Sequence, residues 1–109
     1  MRRRARIDAN HGEIVKILRL AGATVHSMAE VGEGCPDLLV GYRGRTVLVE
    51  VKDPSKPPSA RKLTPAQEDW HKTWNGSPVR IVTNLVDAMA ALGDPQAIMV
   101  SKTMSNGID

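Results

Sequence analysis

The sequence predicts a single α/β domain in which helices flank a central mixed sheet, with the elements in the order α-β-β-β-α-β-α. Three observations lead to this fold class. The chain has 109 residues, enough for one domain with a hydrophobic core. Hydrophobic residues make up 41% and charged residues 25% of it, ordinary proportions that exclude wholesale disorder. Apolar residues recur at helical spacing in some segments and alternate with polar residues in others.

The first helix is predicted over residues 10–21. Asn10 and Glu13 match a capping box, with Asn10 at the N-cap and Glu13 at N3, and apolar residues recur behind them at helical spacing. Residues 23–29 are then expected to be extended, and residues 30–36 to form a glycine-rich loop.

A β-hairpin is predicted next, with strands over Asp37–Tyr42 and Thr46–Lys52 and a short turn at Arg43-Gly44. The remaining elements are a Pro/Ser/Lys-rich loop over residues 53–62, a helix from a capping box at Thr64 to about Asn75, a strand over 79–82, a helix over 84–92 and a weak edge strand over 94–100. Strands and helices in this order give a central sheet with helices against it.

The hairpin brings acidic residues together. With a two-residue turn, the register places Leu39 opposite Leu48 and Asp37 opposite Glu50. Two carboxylates so placed among apolar neighbours repel each other, so the fold requires something that offsets the repulsion. Lys52 lies on the same face as Glu50 and supplies one positive charge, and a hard divalent cation would complete the balance. A purely structural network of these side chains at the end of the sheet is the alternative.

Positive charge is concentrated in two segments. The chain carries 15 Lys and Arg against 12 Asp and Glu, and the excess falls in residues 1–20 and 52–62. Two basic clusters suit a polyanion such as nucleic acid, although a solvated surface is the common alternative. With two Trp, one Tyr and no Phe, a protein that binds single strands by base stacking is disfavoured. We expect a basic arm over residues 1–7, one domain over 8–100 and a flexible tail over 101–109.

Several classes of protein are excluded. A single cysteine rules out a disulfide scaffold and a Cys-rich zinc site. No apolar run approaches the roughly 18 residues of a membrane-spanning helix, and no apolar segment of the kind found in secretory signals follows the basic N-terminus. We therefore expect a cytoplasmic protein with no membrane partner.

Two short motifs carry a family resemblance. Cys35-Pro36-Asp37 and Glu50-Val51-Lys52 match the PD-(D/E)XK nuclease pattern. The segment Gly34–Gly41 resembles the G-x-P-D-hydrophobic-G stretch of VRR-NUC domains, and Leu63–Trp70 resembles their L-T/S-x-x-Q-x-x-W helix start. The resemblance covers residues 8–92, and it implies a restriction-endonuclease-like core. The domain predicted over residues 8–100 is therefore similar to stand-alone VRR-NUC proteins.

This resemblance implies a metal-dependent DNA endonuclease that hydrolyses phosphodiester bonds, selective for branched DNA as Holliday-junction resolvases are. At the matching positions, Asp37 and Glu50 would bind Mg²⁺ or Mn²⁺ together with the backbone carbonyl of Val51. Lys52 would position the attacking water and stabilise the negative charge that develops on the phosphate. No organic cofactor is implied.

Two further catalytic candidates lie on helices. The resemblance implies that Glu13 orients a water or a second metal ion, which makes it a further candidate ligand, and that Gln67 supports the site. Both occupy N3 positions of predicted capping boxes, so a structural role is the alternative for each. The candidate DNA-binding residues are basic and lie in the N-terminal arm and the loop after the catalytic strand: Arg2, Arg3, Arg4, Arg6, Lys56, Arg61 and Lys62.

A homodimer is implied by the same resemblance, because two sites related by a two-fold axis can cut two strands of a branched duplex. The alternative function is a non-catalytic DNA-binding or interaction module that retains the nuclease fold.

The remaining polar candidates are expected to have structural positions. His11 and His71 are expected on helix surfaces, and Cys35 is expected to pack ahead of Pro36. Gln67 shares a helix face with Trp70 and Trp74, and that face is expected to pack on the sheet.

Overall fold

The computed structural model of the chain describes residues 9–93. Its elements are α1 (His11–Leu20), β1 (Thr24–Ser27), β2 (Leu38–Tyr42), β3 (Arg45–Val51), α2 (Pro58–Arg61), α3 (Pro65–Thr73), β4 (Arg80–Val82) and α4 (Leu85–Leu92). The predicted order is confirmed, with α2 added inside the segment predicted as a loop. The predicted arm, edge strand and tail, at residues 1–7, 94–100 and 101–109, lie outside the described residues.

The four strands form one mixed sheet in the order β1-β2-β3-β4. The β1–β2 and β2–β3 pairs are antiparallel, whereas β3 and β4 run parallel. Leu39 pairs with Leu48, as predicted. The two-residue turn is confirmed as well: Arg43 and Gly44 have φ values of 49° and 78°, the positive angles that a tight hairpin turn requires.

The ladder between β2 and β3 ends one pair before the two acidic residues, at Leu38 and Val49. Asp37 therefore precedes β2 instead of starting it. Its backbone carbonyl accepts a hydrogen bond of 2.7 Å from the Met28 N–H, so its main chain is held towards the end of β1.

The core lies on one face of the sheet, where α1 and α4 pack. Alternation along the strands directs Leu38, Val40 and Val49 to this face, and none of the three is more than 1% exposed. The opposite face is covered only in part, and Leu39 and Ile81 on it are 37% and 48% exposed. No helix within residues 9–93 is long and apolar enough to cross a membrane.

Helix α3 lies at the half-covered face and has no fully buried residue. Trp70 and Trp74 stack on each other, with ring centroids 4.9 Å apart and planes 18° from parallel. Trp74 remains 43% exposed. The expected packing of this helix face on the sheet is therefore only partial: Trp70 is half-buried, and Trp74 lines an open cavity with Leu39 and Leu48.

Asn10 has a different role from the predicted one. It forms no side-chain hydrogen bond at the start of α1, so the predicted capping box with Glu13 is wrong. Instead, Asn10 Nδ2 donates 3.1 Å hydrogen bonds to the carbonyls of Lys52 and Thr83. These carbonyls follow the ends of β3 and β4, where the strands leave the sheet and long-range acceptors become available.

The glycine-rich loop presses against the start of α3. Gly32, Glu33 and Gly34 have consecutive φ values of 74°, 56° and 84°, and the Cys35 N–H closes the turn on the Gly32 carbonyl at 3.0 Å. A Cβ atom added to Gly34 would lie 2.2 Å from the Ala66 carbonyl oxygen. Only glycine permits this approach, so the loop fixes where α3 begins relative to the sheet.

We predict that Gly34→Ala destabilises the fold more than Gly32→Ala. Both substitutions place a side chain at positive φ, which costs about 1–2 kcal/mol. A Cβ at Gly32 meets no atom within 4 Å, whereas the clash at Gly34 adds roughly 1–3 kcal/mol of overpacking. Urea unfolding of both variants measures the difference. Equal losses of free energy would show that the contact with Ala66 relaxes at no cost.

Candidate active site

Two oppositely charged side chains are buried at the end of β3. Glu50 is 1% exposed, and Lys52, just beyond the strand, is 6% exposed. Alternation places both on the half-covered face, away from α1 and α4. Burial of charged groups is costly unless they are paired and hydrogen-bonded, so their partners decide whether the fold tolerates them.

The side-chain amide of Gln67 joins these two groups. Its Nε2 donates a 3.0 Å hydrogen bond to Glu50 Oε2, and its Oε1 accepts one of 2.8 Å from Lys52 Nζ. The predicted capping box is also present, because Gln67 Oε1 accepts from the Thr64 N–H at 2.9 Å and Thr64 Oγ1 accepts from the Gln67 N–H at 3.2 Å. The side chain of Gln67 thus both caps α3 and holds Glu50 and Lys52 together.

Asp37 lies beside this pair and is partly exposed. Its Oδ2 accepts a 2.8 Å hydrogen bond from the Val51 N–H, whereas the next N–H along the chain, that of Lys52, donates to the Val82 carbonyl in β4 at 2.9 Å. The N–H and C=O of one strand residue point towards the same neighbour. The Val51 carbonyl therefore faces the Asp37 side, as a shared ion would require.

The Cys35 thiol lies close to both acidic residues. Burial raises its pKa, and the negative charges of Glu50 and Asp37 raise it further. Both carboxylates therefore act electrostatically on the same thiol, although the ladder does not pair their backbones. The thiol stays protonated at neutral pH, and a protonated thiol is a poor nucleophile. This agrees with the expectation that Cys35 is a packing residue.

His71 is the residue that sequence reasoning missed, and its predicted place on the helix surface is wrong. Its side chain is 17% exposed, and its Nε2 lies 3.9 Å from Glu50 Oε1. Burial lowers its pKa and the Lys52 ammonium lowers it further, so the charged imidazole that an ion pair with Glu50 requires is disfavoured. Gln67 and His71 are four residues apart on one helix, so they share a helix face. This spacing could have indicated that His71 lies at the same site as Gln67.

The other histidines lie outside the site. His11 is 8% exposed at the start of α1, so its predicted surface position is also wrong: it faces the core with the apolar side of its helix. His26 is exposed on β1, opposite Leu39.

Glu13 is not brought to the other candidates. It is exposed on α1, on a groove of about 320 Å³ that Leu20 and Leu85 also line. No hydrogen bond or ion pair among residues 9–93 joins it to Asp37, Glu50 or Lys52. Its catalytic role stays a prediction.

The loop after β3 carries the described candidates for DNA contact. Lys56 is half-buried, while Arg61 and Lys62 are exposed at the end of α2. Asp53 fixes the turn from Lys52 into this loop, because its Oδ1 accepts from the Ser55 hydroxyl at 2.7 Å and from the Ser55 N–H at 2.9 Å. These bonds lower the pKa of Asp53. Arg2, Arg3, Arg4 and Arg6 lie outside the described residues.

Comparison of the chain with family models, with curated proteins and with solved structures gave no match. The interpretation of the site therefore depends on its geometry and on the motifs in the sequence.

The donor set is one that a single hard cation uses. Residues 9–93 contain no group of three or more His, Cys, Asp or Glu side chains arranged to hold a metal ion. Magnesium, however, is commonly bound by one or two carboxylates and keeps several waters. Asp37, Glu50 and the Val51 carbonyl are oxygen donors of this kind, and the Asp37 bond to the Val51 N–H occupies only Oδ2.

We predict that Gln67→Met destabilises the protein more than Thr64→Ala does. Loss of the Thr64 cap costs about 1 kcal/mol. Loss of the Gln67 amide also removes a partner from two buried charged groups, at about 1–3 kcal/mol for each group that finds no replacement. Urea unfolding of the two variants measures both losses. If the two losses were the same, Gln67 would matter only as a cap.

Proposed function

We propose that this protein is a metal-dependent DNA endonuclease of the VRR-NUC type, with a restriction-endonuclease-like core and a preference for branched DNA. The observation that carries the proposal is the buried Glu50–Lys52 pair, held by one amide of Gln67 beside Asp37. The PD-(D/E)XK pattern and the two segments that resemble VRR-NUC domains together contain all four residues.

A purely structural network accounts less well for this arrangement. Two carboxylates and one ammonium sum to a negative charge at the end of the sheet. Replacement of buried ionic groups by apolar ones is often neutral or stabilising, so stability alone does not favour their retention. A divalent cation would offset the two carboxylates, and the phosphate bound to it would accept the positive charge of Lys52.

The proposed roles are those that the resemblance implies for these residues, and the hydrogen bonds of the site are compatible with them. Asp37, Glu50 and the Val51 carbonyl would hold Mg²⁺ or Mn²⁺, which would lower the pKa of a bound water and act as a Lewis acid on the phosphate. Lys52 places its ammonium where negative charge develops. Because Gln67 already fixes Lys52 Nζ at 2.8 Å, this charge needs little reorganisation during the reaction.

The wider assembly is part of the same proposal. Lys56, Arg61 and Lys62 lie in the segment between β3 and α3, which begins at Lys52, and would contact the DNA backbone. A homodimer would present two such sites and could act on two strands of a junction. Light scattering of the full chain gives the oligomeric state, and a strict monomer would remove this part of the proposal.

We predict cleavage of DNA with Mg²⁺ or Mn²⁺ that is lost with EDTA and falls about 10²–10³-fold in Lys52→Ala, the loss typical when one preorganised charge-stabilising group is removed. Asp37→Ala should also lose cleavage but keep or improve DNA affinity, because it removes an anion near the phosphate. Asp69→Ala removes an exposed carboxylate from α3 and is the matched control.

Linear duplex, single strand and four-way junction are compared in this assay. Equal rates on linear and four-way DNA would contradict the branched-DNA preference while leaving the nuclease intact. Cleavage that survives in Asp37→Ala and Lys52→Ala would point to a contaminant and overturn the proposed site.

A second prediction concerns stability. Mn²⁺ at about 100 times its dissociation constant should stabilise the folded protein by about 2.7 kcal/mol, seen as a rise in melting temperature. Asp37→Ala should abolish most of this rise, and Asp69→Ala should keep it. A melting temperature that does not respond to either ion in the wild type would argue against a metal site.

The alternative is a non-catalytic DNA-binding module, and the position of Glu13 favours it. The resemblance assigns Glu13 to the site, but it is exposed on α1 and makes no contact with the other candidates in the described part of the chain. The alternative would be established by a folded protein that binds DNA but does not cut it. Its melting temperature would not respond to Mg²⁺ or Mn²⁺, and Asp37→Ala would leave its DNA affinity unchanged.

A further inference from the structure

His71 is the polar residue at the site to which the proposed roles give no task. Its Nε2 is buried, with no hydrogen-bond partner among residues 9–93. The nearest acidic atom, Glu50 Oε1, is 3.9 Å away, which is beyond the range of a direct hydrogen bond. A buried donor or acceptor without a partner is destabilising. A buried imidazole at this position therefore requires a hydrogen-bonding partner from outside the protein.

The separation of the two atoms fits one bridging water. A water about 2.8 Å from each of them makes an angle of about 90° at its oxygen, within the range of hydrogen-bond geometry. Polar atoms separated by more than 3.5 Å are often joined in this way. Lys52 also lies near enough to act electrostatically on His71, so the place between His71 and Glu50 is polar enough to hold a water.

Direct binding of the ion by His71 is less compatible with the structure. Imidazole joined to the Asp37 and Glu50 carboxylates would make a group of three ligating side chains, and residues 9–93 contain no such group arranged around one point. Imidazole is also a poorer ligand than oxygen for Mg²⁺. A contact through water satisfies both constraints.

The imidazole is held in place from two directions. Trp70 meets it edge-on, with ring centroids 6.4 Å apart and planes at 79°. One turn earlier, Gln67 ties α3 to Glu50 and Lys52, and Gly34 sets the start of the helix against the loop. The ring is therefore oriented before any ligand arrives.

We propose that His71 is a positioning residue that holds, through Nε2, a water molecule against Glu50 Oε1, in the water shell of the ion that the site binds. The proposal rests on the metal site proposed above. Groups that orient the ligands of a metal from outside its coordination shell typically change its affinity or activity about 10–100-fold when removed.

Calorimetric titration of the full chain with Mn²⁺ alone tests this role without any measurement of cleavage. His71→Leu removes both ring nitrogens, and His71→Gln keeps a polar group at nearly the reach of Nε2. His26→Leu, on exposed β1, is the matched control. We expect His71→Leu to weaken Mn²⁺ binding about 10-fold, His71→Gln to restore most of it, and His26→Leu to change nothing. Unchanged Mn²⁺ affinity in folded His71→Leu would overturn the proposal.

A crystal structure of the metal-free wild type gives a second test that requires no variant to fold. An ordered water within hydrogen-bond distance of both His71 Nε2 and Glu50 Oε1 supports the proposal, and direct contact between the two side chains refutes it. The failure of the proposed function looks different: the wild type itself would bind no Mn²⁺, whatever lies between His71 and Glu50.

Discussion

The side-chain amide of Gln67 holds the Glu50 carboxylate and the Lys52 ammonium at the same time. An amide is suited to this task because its nitrogen donates and its oxygen accepts, so it satisfies opposite charges that lie side by side. The same oxygen accepts from the Thr64 N–H at the start of α3. The hydrogen bond at the start of α3 thus also orients the amide of Gln67. A shift of the start of the helix would therefore move the amide away from Glu50 and Lys52.

This dependence matters because α3 has little else to hold it. It has no fully buried residue, and its two tryptophans stack on each other, with Trp74 43% exposed. The close approach of Gly34 to the Ala66 carbonyl and the bonds of Gln67 are therefore the contacts that position it. The loop before Asp37 and the helix after Lys52 meet at these residues, so the two halves of the PD-(D/E)XK pattern are joined by packing as well as by the sheet.

Local rules predicted most of the fold. Alternation in β3 and a two-residue turn at Arg43-Gly44 were sufficient to predict the hairpin register, and the pairing of Leu39 with Leu48 confirms it. The errors arise where long-range contacts override a local pattern. Asn10 matches an N-cap, but the carbonyls of Lys52 and Thr83 take its amide, and they become available only once β3 and β4 are paired. No pattern in the sequence reports that pairing.

The residues of the site that lie on or next to β3 could be predicted from the sequence. Glu50 and Lys52 share a face by alternation alone. Asp37 came from the same register, but its actual link to β3 is a side-chain bond to the Val51 N–H, which ladder rules do not describe. Glu13 and His71 depend on how helices sit against the sheet. The resemblance assigned Glu13 to the site and His71 was expected on a helix surface, yet of these two residues the described structure brings only His71 to Glu50.

The apolar core and the candidate site lie on opposite faces of the sheet. One face carries Val49 and Val51 of β3, which are buried in the core to which α1 and α4 contribute. The other carries Glu50 and Lys52 under a helix that covers it only in part. A buried charged site is tolerable where the apolar core lies on the opposite face, since polar groups there displace no core contact. Incomplete cover has a second consequence under the proposed function: DNA could reach the half-covered face, where Leu39 and Ile81 are 37% and 48% exposed, without displacement of the helices that cover the core.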